Sequence, residues 1–202
     1  MPFVIYTVLL ITAFTSYALQ LAALILPQWL VTPLDAASSG SYAETQYGLF
    51  MVCQSATGEC RAFPREENGD CTQEYFCPLW HVAGTTMILA SVIGALTLVA
   101  LLGTMCSQRR KRDRGWKMVT SMLVLHTVPS ATTMVILLDL LYNSTTTTIS
   151  IFMATPTNMR HGISMIFAFV SLCINLLMAL AILSFRNTQQ QQLQQYDHHQ
   201  NH

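Results

Sequence analysis

Six cysteines, six histidines and one dense run of cations are the residues in this chain whose types could do chemistry. The histidines suggest no enzyme. His81, His126 and His161 have no Ser or Cys nucleophile at a useful spacing, and the sequence has no H-E-x-x-H, no G-x-S-x-G elbow and no glycine loop to cradle phosphate. No catalytic residue and no cofactor is expected. Four of the cysteines, Cys53, Cys60, Cys71 and Cys77, fall within one short stretch. Four thiolates could hold zinc, but none of the gaps is of the close C-x-x-C type, so disulfides are the better reading. Four cysteines allow three pairings. The segment "QSATGE" is short enough for a hairpin turning on Gly58, which favours Cys53 with Cys60 and leaves Cys71 with Cys77.

The elements that position these residues are membrane helices. Of the 202 residues 52% are hydrophobic and 10% charged, the net charge is zero, and the mean hydropathy is +0.41, too apolar for an ordinary soluble domain. Runs over residues 3–26, 81–106, 118–142 and 163–185 each supply the roughly 20 apolar residues that cross a hydrocarbon core of about 30 Å. The first run has no basic residue ahead of it and outlasts a signal-peptide core, so it reads as a retained helix, ended by Pro27 with Trp29 at the interface.

Charge placement orients the spans. The link "SQRRKRDRGWK" holds Arg109, Arg110, Lys111, Arg112, Arg114 and Lys117 against Asp113 alone, which reads as a short cytoplasmic turn. Anionic lipid suits this run better than nucleic acid. Both termini are then cytoplasmic, and segments 27–80 and 143–162 face outward. The cysteines agree, because the four clustered ones fall in the first outer loop, where disulfides persist. Cys106, at a cytoplasmic helix end, is a candidate palmitoylation site, and Cys173 lies inside a span.

"QWLVT", "SYAETQYGLFMVC" and "CRAFP", broken at "DAASSG" and "TG", read as an antiparallel meander in the first outer loop. Residues 186–202, rich in Gln and His, read as a disordered tail. Inside the spans Gln20, His126, Pro129, Asp139 and Asn175 are scattered and take structural roles, while Ala18 with Ala22, Ala90 with Gly94 and Ser91 with Ala95 form small-residue faces for close helix contact. Asn143 opens a glycosylation sequon almost at the membrane surface.

Trp29 followed by Gly48, Leu49 and Phe50, then Cys53 and Cys60, resembles the W…GLW…C…C signature of the claudin and peripheral myelin protein superfamily. "LPQW", "TGECRAF", "GTMC" and "TPTNMRHGISMIFAFVSLC" are similar to claudin segments in the same order. The resemblance implies a four-helix transmembrane bundle carrying one small extracellular antiparallel β-sheet built from both outer loops. It places the Cys53 and Cys60 pair across neighbouring strands, and Trp29 with the "GLF" segment at the foot of the sheet. This chain departs from the pattern with Phe50 in place of Trp, His81 in place of an Arg, the extra Cys71 and Cys77, and "PREENGDCTQEYFC" where claudins place a short surface helix.

The function so implied is cell–cell contact with a paracellular barrier or ion filter, formed by self-association or with other four-span proteins at plasma-membrane junctions. The position of Arg61, just after the second signature cysteine, marks a charge filter favouring anions or a barrier. Seven acids against two cations in the first outer loop oppose it. Ile151, Phe152 and Met153 form an apolar tip suited to a facing-cell contact. The alternative is an accessory tetraspan subunit of a channel or receptor, or a membrane-domain organiser. Asn201 and His202 at the end give no hydrophobic terminus for a PDZ scaffold, which leans toward that alternative.

Overall fold

The computed structural model describes residues 3–34, 43–71, 75–106, 109–143 and 160–200. Four long helices run through them: α1 (Phe3–Ile25), α2 (Phe76–Cys106), α3 (Arg109–Asn143) and α4 (Ile163–Gln200). Each contains a stretch long and apolar enough to cross a bilayer, namely Thr7–Ile25, Phe76–Cys106, Met118–Leu140 and Ile163–Ser184. The distribution of side chains points the same way. Val99, Val135 and Leu177 stand on the outside while Ser16, Gln20, Thr133, Ser164 and Ser171 are buried. A protein surrounded by water reverses that order, whereas a bundle surrounded by lipid has no reason to hide aliphatic surface. The four helices therefore fit a multi-pass membrane protein.

Several polar side chains inside the bundle are satisfied locally or across helices, whereas Gln20 Nε2 is buried without a hydrogen-bond partner among the described residues. Ser91 and Thr97 donate to the carbonyls of Met87 and Ile93 one turn back. Ser16 and Ser171 join α1 to α4 with hydroxyls 2.9 Å apart, and Thr86 and Thr133 join α2 to α3 at 2.8 Å. The small-residue face on α2 is packed inward, with Ala90 and Gly94 both buried, while Ala18 on α1 is exposed.

Five short strands cover one end of the bundle: β1 (Leu30–Leu34), β2 (Ala43–Tyr47), β3 (Met51–Gln54), β4 (Cys60–Ala62) and β5 (Arg160–His161). Their order is β4-β3-β2-β1-β5, and every pairing is antiparallel. The first four form the meander expected from residues 27–80, and β5 comes from the segment between α3 and α4. A buried cluster of Trp29, Leu49, Phe63, Trp80, Met87 and Leu137 fills the junction between sheet and helices. A second cluster around Leu101, Val119 and Met178 fills the opposite end.

Three features correct the reading from sequence. The basic run, expected as a short turn, is helical, because α3 begins at Arg109 and only residues 107 and 108 separate it from α2. Residues 186–200 are helical, where composition suggested disorder. The stretch Ile163–Gln200 contains neither Gly nor Pro, and Gln and Leu are good helix formers, so nothing stops α4 at the end of its apolar part. α2 begins at Phe76 and not at residue 81, which places Trp80 inside its second turn.

α4 enters the bundle through a tight crossing. Gly162 N–H donates to Trp29 O at 2.9 Å and Ser164 N–H to Gln28 O at 3.0 Å, and a β-carbon on Gly162 would run into the Gln28 carbonyl. Gly162→Ala should therefore force β1 and α4 apart and cost about 1–3 kcal/mol. Thermal unfolding of the detergent-solubilised protein, followed by near-UV circular dichroism, should show a lowered midpoint, and an unchanged midpoint would show that the crossing relaxes freely.

Candidate functional site

The sheet lobe is the part of the chain where the singled-out residues converge. In β3 and β4, Cys53 and Cys60 are directly opposed and disulfide-bonded, with Cα atoms 4.1 Å apart. The connecting turn closes through Gly58 N–H to Gln54 O at 2.9 Å, and Gly58 adopts φ +69°, a conformation that costs other residues more. Cys71 and Cys77 form the second disulfide, with Cα atoms 5.4 Å apart. It ties the segment after the 3₁₀ turn Glu66–Asn68 to the first turn of α2. That single turn stands where the family resemblance places a surface helix.

Two indoles hold the lobe on the helix ends. Trp29 is fully buried, and its Nε1–H donates 2.7 Å to the carbonyl of Ala23, near the end of α1. Trp80, 1% exposed, donates from α2 to Leu49 O at 3.1 Å. Around Trp80, the rings of Phe63 and Phe76 pack at centroid distances of 5.3 Å and 5.4 Å, and Tyr47 joins Phe63 edge-on at 5.3 Å. Phe50 does not share this buried position. It is 42% exposed, with its ring leaning over Gly84 of α2. The buried aromatic against the "GLF" segment is Trp80 of α2, which sequence reasoning passed over. The available signal was a Trp three residues after Cys77. Gly48 does occupy a tight position, since a β-carbon there would lie 2.7 Å from Pro27 Cα.

Arg61, expected to be a free cation, is paired. Its two terminal nitrogens donate to both carboxylate oxygens of Asp70 at 2.6 Å and 2.7 Å, and Asp70 also accepts the Arg65 backbone N–H at 3.0 Å. The Asp70 side chain is nearly buried at 8% exposure, while that of Arg61 remains 44% exposed. The hydrogen bonds from Arg61, reinforced by the Arg65 amide and opposed by burial, hold the Asp70 carboxyl below its usual range. Arg61 borders an open cleft of about 650 Å³ on one face of the sheet, lined also by Thr45, Tyr47, Gln54 and Glu59. Burial raises the Tyr47 phenol pKa there.

The other expected positions do not join this site. Cys106 is an exposed free thiol at the far end of α2, and Cys173 is a free, half-buried thiol on α4. Ile151, Phe152 and Met153 lie outside the described residues, as do Ser144 and Thr145 of the sequon, whose Asn143 ends α3. Among the described residues there is no cluster of three or more His, Cys, Asp or Glu side chains placed to hold a metal. Gln20 and His126, read as separate, meet inside the bundle with Oε1 and Nε2 2.6 Å apart.

Because the folded Asp70 pKa is depressed, the pair's contribution is fully present above the ordinary carboxylate pKa of about 3.9 and is lost as pH falls through the depressed value. Asp70→Asn should cost about 1 kcal/mol at neutral pH, a figure reduced for the exposure of Arg61. The penalty should be constant from pH 5 to 8 and vanish in strong acid. Thermal midpoints of both forms across that range test it, and a penalty that grew toward pH 8 would contradict the pairing.

No protein-family model matches the chain, and no curated protein matches it significantly.

Proposed function

We propose that the chain is a plasma-membrane four-span protein that works through protein contacts made by its sheet lobe, as the claudin resemblance implies. On this reading it associates laterally with copies of itself or with other four-span proteins and meets like proteins on a facing cell. The space between the cells is then sealed or filtered. The observation that carries the proposal is the cross-bracing of the lobe, a five-stranded sheet cross-linked at Cys53–Cys60, tied to α2 at Cys71–Cys77 and anchored by two buried indoles. A surface held in one shape before binding loses little freedom on docking. Disulfides in this lobe suit an extracellular position, which with the basic run on the other side puts both termini in the cytoplasm.

The Arg61–Asp70 pair changes the expected ion preference. With Arg61 neutralised, Glu44, Glu59, Glu66 and Glu67 face only Arg65 in the described part of the first loop. A junctional path along this lobe should favour cations weakly, because an acidic passage concentrates them. In monolayers expressing the protein, dilution potentials should shift toward anions in Asp70→Asn, which frees the Arg61 charge, and slightly toward cations in Arg61→Ala. In cells lacking junction proteins the chain should gather at cell contacts. A uniform surface distribution, with no change in conductance, would favour the accessory-subunit reading.

A further inference from the structure

The zero net charge of the chain conceals a strong separation. The end of the bundle opposite the sheet holds seven cations, the six between Arg109 and Lys117 together with Arg186, against two acids, Asp113 and Asp197. The flanking residues of α1 and α2 at that end, 3–10 and 101–106, carry no charge. The depth of the basic run follows from the backbone. Leu101 of α2 and Val119 of α3 belong to one buried cluster, so the two helices are level there. From that level α3 continues through the basic run to Arg109, roughly 15 Å along the helix, and α2 rises about 7 Å to Cys106 before a two-residue link. The apolar span of α3 begins at Met118. The cations therefore start where the apolar stretch ends, over a distance that includes the headgroup layer of roughly 5–8 Å.

We infer that this helical basic collar is a binding site for anionic lipid headgroups. Six like charges on nine consecutive helical residues repel one another at separations near or below the screening length of about 8 Å, and they have one acid among them. Lipid phosphates at the same depth relieve that repulsion without any further partner. A lipid is favoured over an acidic protein because the run begins within the headgroup layer and not beyond it. The collar is fixed relative to the bundle, since α3 is one helix from Arg109 to Asn143. It therefore concentrates anionic lipid at one place on the protein's perimeter. This inference depends on the helices crossing a bilayer and is independent of the cell-contact reading.

The test uses Trp116, which lies within the run, whereas Trp29 and Trp80 are buried at the sheet end. The full chain is reconstituted in phosphatidylcholine vesicles containing either brominated phosphatidylserine or brominated phosphatidylcholine, and tryptophan quenching is compared. Phosphatidylserine should quench several-fold more effectively at equal mole fraction. Its apparent affinity should fall roughly fivefold for each cation neutralised in the series Arg110→Gln, Arg110→Gln with Arg112→Gln, and both with Arg109→Gln. For the unmodified chain, 0.5 M potassium chloride should reduce the preference sharply, a measurement that needs no variant to fold. Equal quenching by the two lipids, a preference unaffected by salt and substitution, or capture of soluble poly-glutamate without a lipid preference would overturn the proposal. Resistance to alkaline extraction from the vesicles, checked in every sample, separates a failure of this site from a failure to span the bilayer.

Discussion

The helix end of α1 is the constraint on which the lobe depends. A helix leaves its last carbonyls without intrahelical donors, and the chain leaving α1 adds further carbonyls as it turns into β1 against the start of α4. The chain answers with donors from distant parts of itself. Trp29 Nε1–H reaches Ala23 O, Ser164 Oγ–H reaches Leu26 O at 3.0 Å, Ser164 N–H reaches Gln28 O, and Gly162 N–H reaches Trp29 O. These four bonds stitch α1, β1 and the start of α4 into one unit. A hydrogen bond adds about 1 kcal/mol net, but a buried carbonyl left without a donor costs about 1–3 kcal/mol, so the arrangement is enforced more by what its loss would expose than by what it gains.

The same reasoning explains the interior of the bundle. Lipid offers no hydrogen bonds, so the polar side chains turn inward and find one another: Ser16 with Ser171, Thr86 with Thr133, Gln20 with His126. Their partners lie on different helices, which ties α1 to α3 and α4, and α2 to α3. The fit at Gly94 is close, since a β-carbon there would sit 2.9 Å from the Tyr17 ring and 3.1 Å from His126 Nε2. A larger residue would push the imidazole off Gln20. Apolar packing alone discriminates weakly between helix registers in a membrane, and directional pairs of this kind select one.

Hydropathy made the four spans legible, because about 20 apolar residues in a row have few other uses. The Cys53–Cys60 hairpin was legible too, since its loop length and Gly58 leave little choice. What sequence could not give was anything depending on which residues meet across a long separation. Trp80 and Leu49 are 31 residues apart, and no local pattern links the indole to the motif, whose own aromatic is Phe50. Arg61 was read as a free charge because its partner, Asp70, lies beyond a turn whose direction no local pattern fixes. The far part of α4 was misread for a different reason: low complexity suggested disorder, whereas helix propensity and the lack of a breaker carry the helix on.

β4 shows how these tertiary links act together. Among the described residues it is an edge strand, open along one side, and such edges invite pairing with other chains. On its inner side it is joined to β3 by Cys53–Cys60. On the same strand, Arg61 reaches Asp70, Asp70 adjoins Cys71, and Cys71 is bonded to Cys77 in α2. The edge is thus linked through an ion pair and a disulfide to the beginning of a membrane helix. Just beyond the strand, Phe63 N–H bonds to Phe50 O, and Pro64, having no N–H, brings the pairing to an end. The strand is therefore short, charged and braced from both sides, which limits indiscriminate edge pairing. Its exposed residues keep a fixed position relative to the bundle, so a partner recognising them would also sense the orientation of the helices beneath.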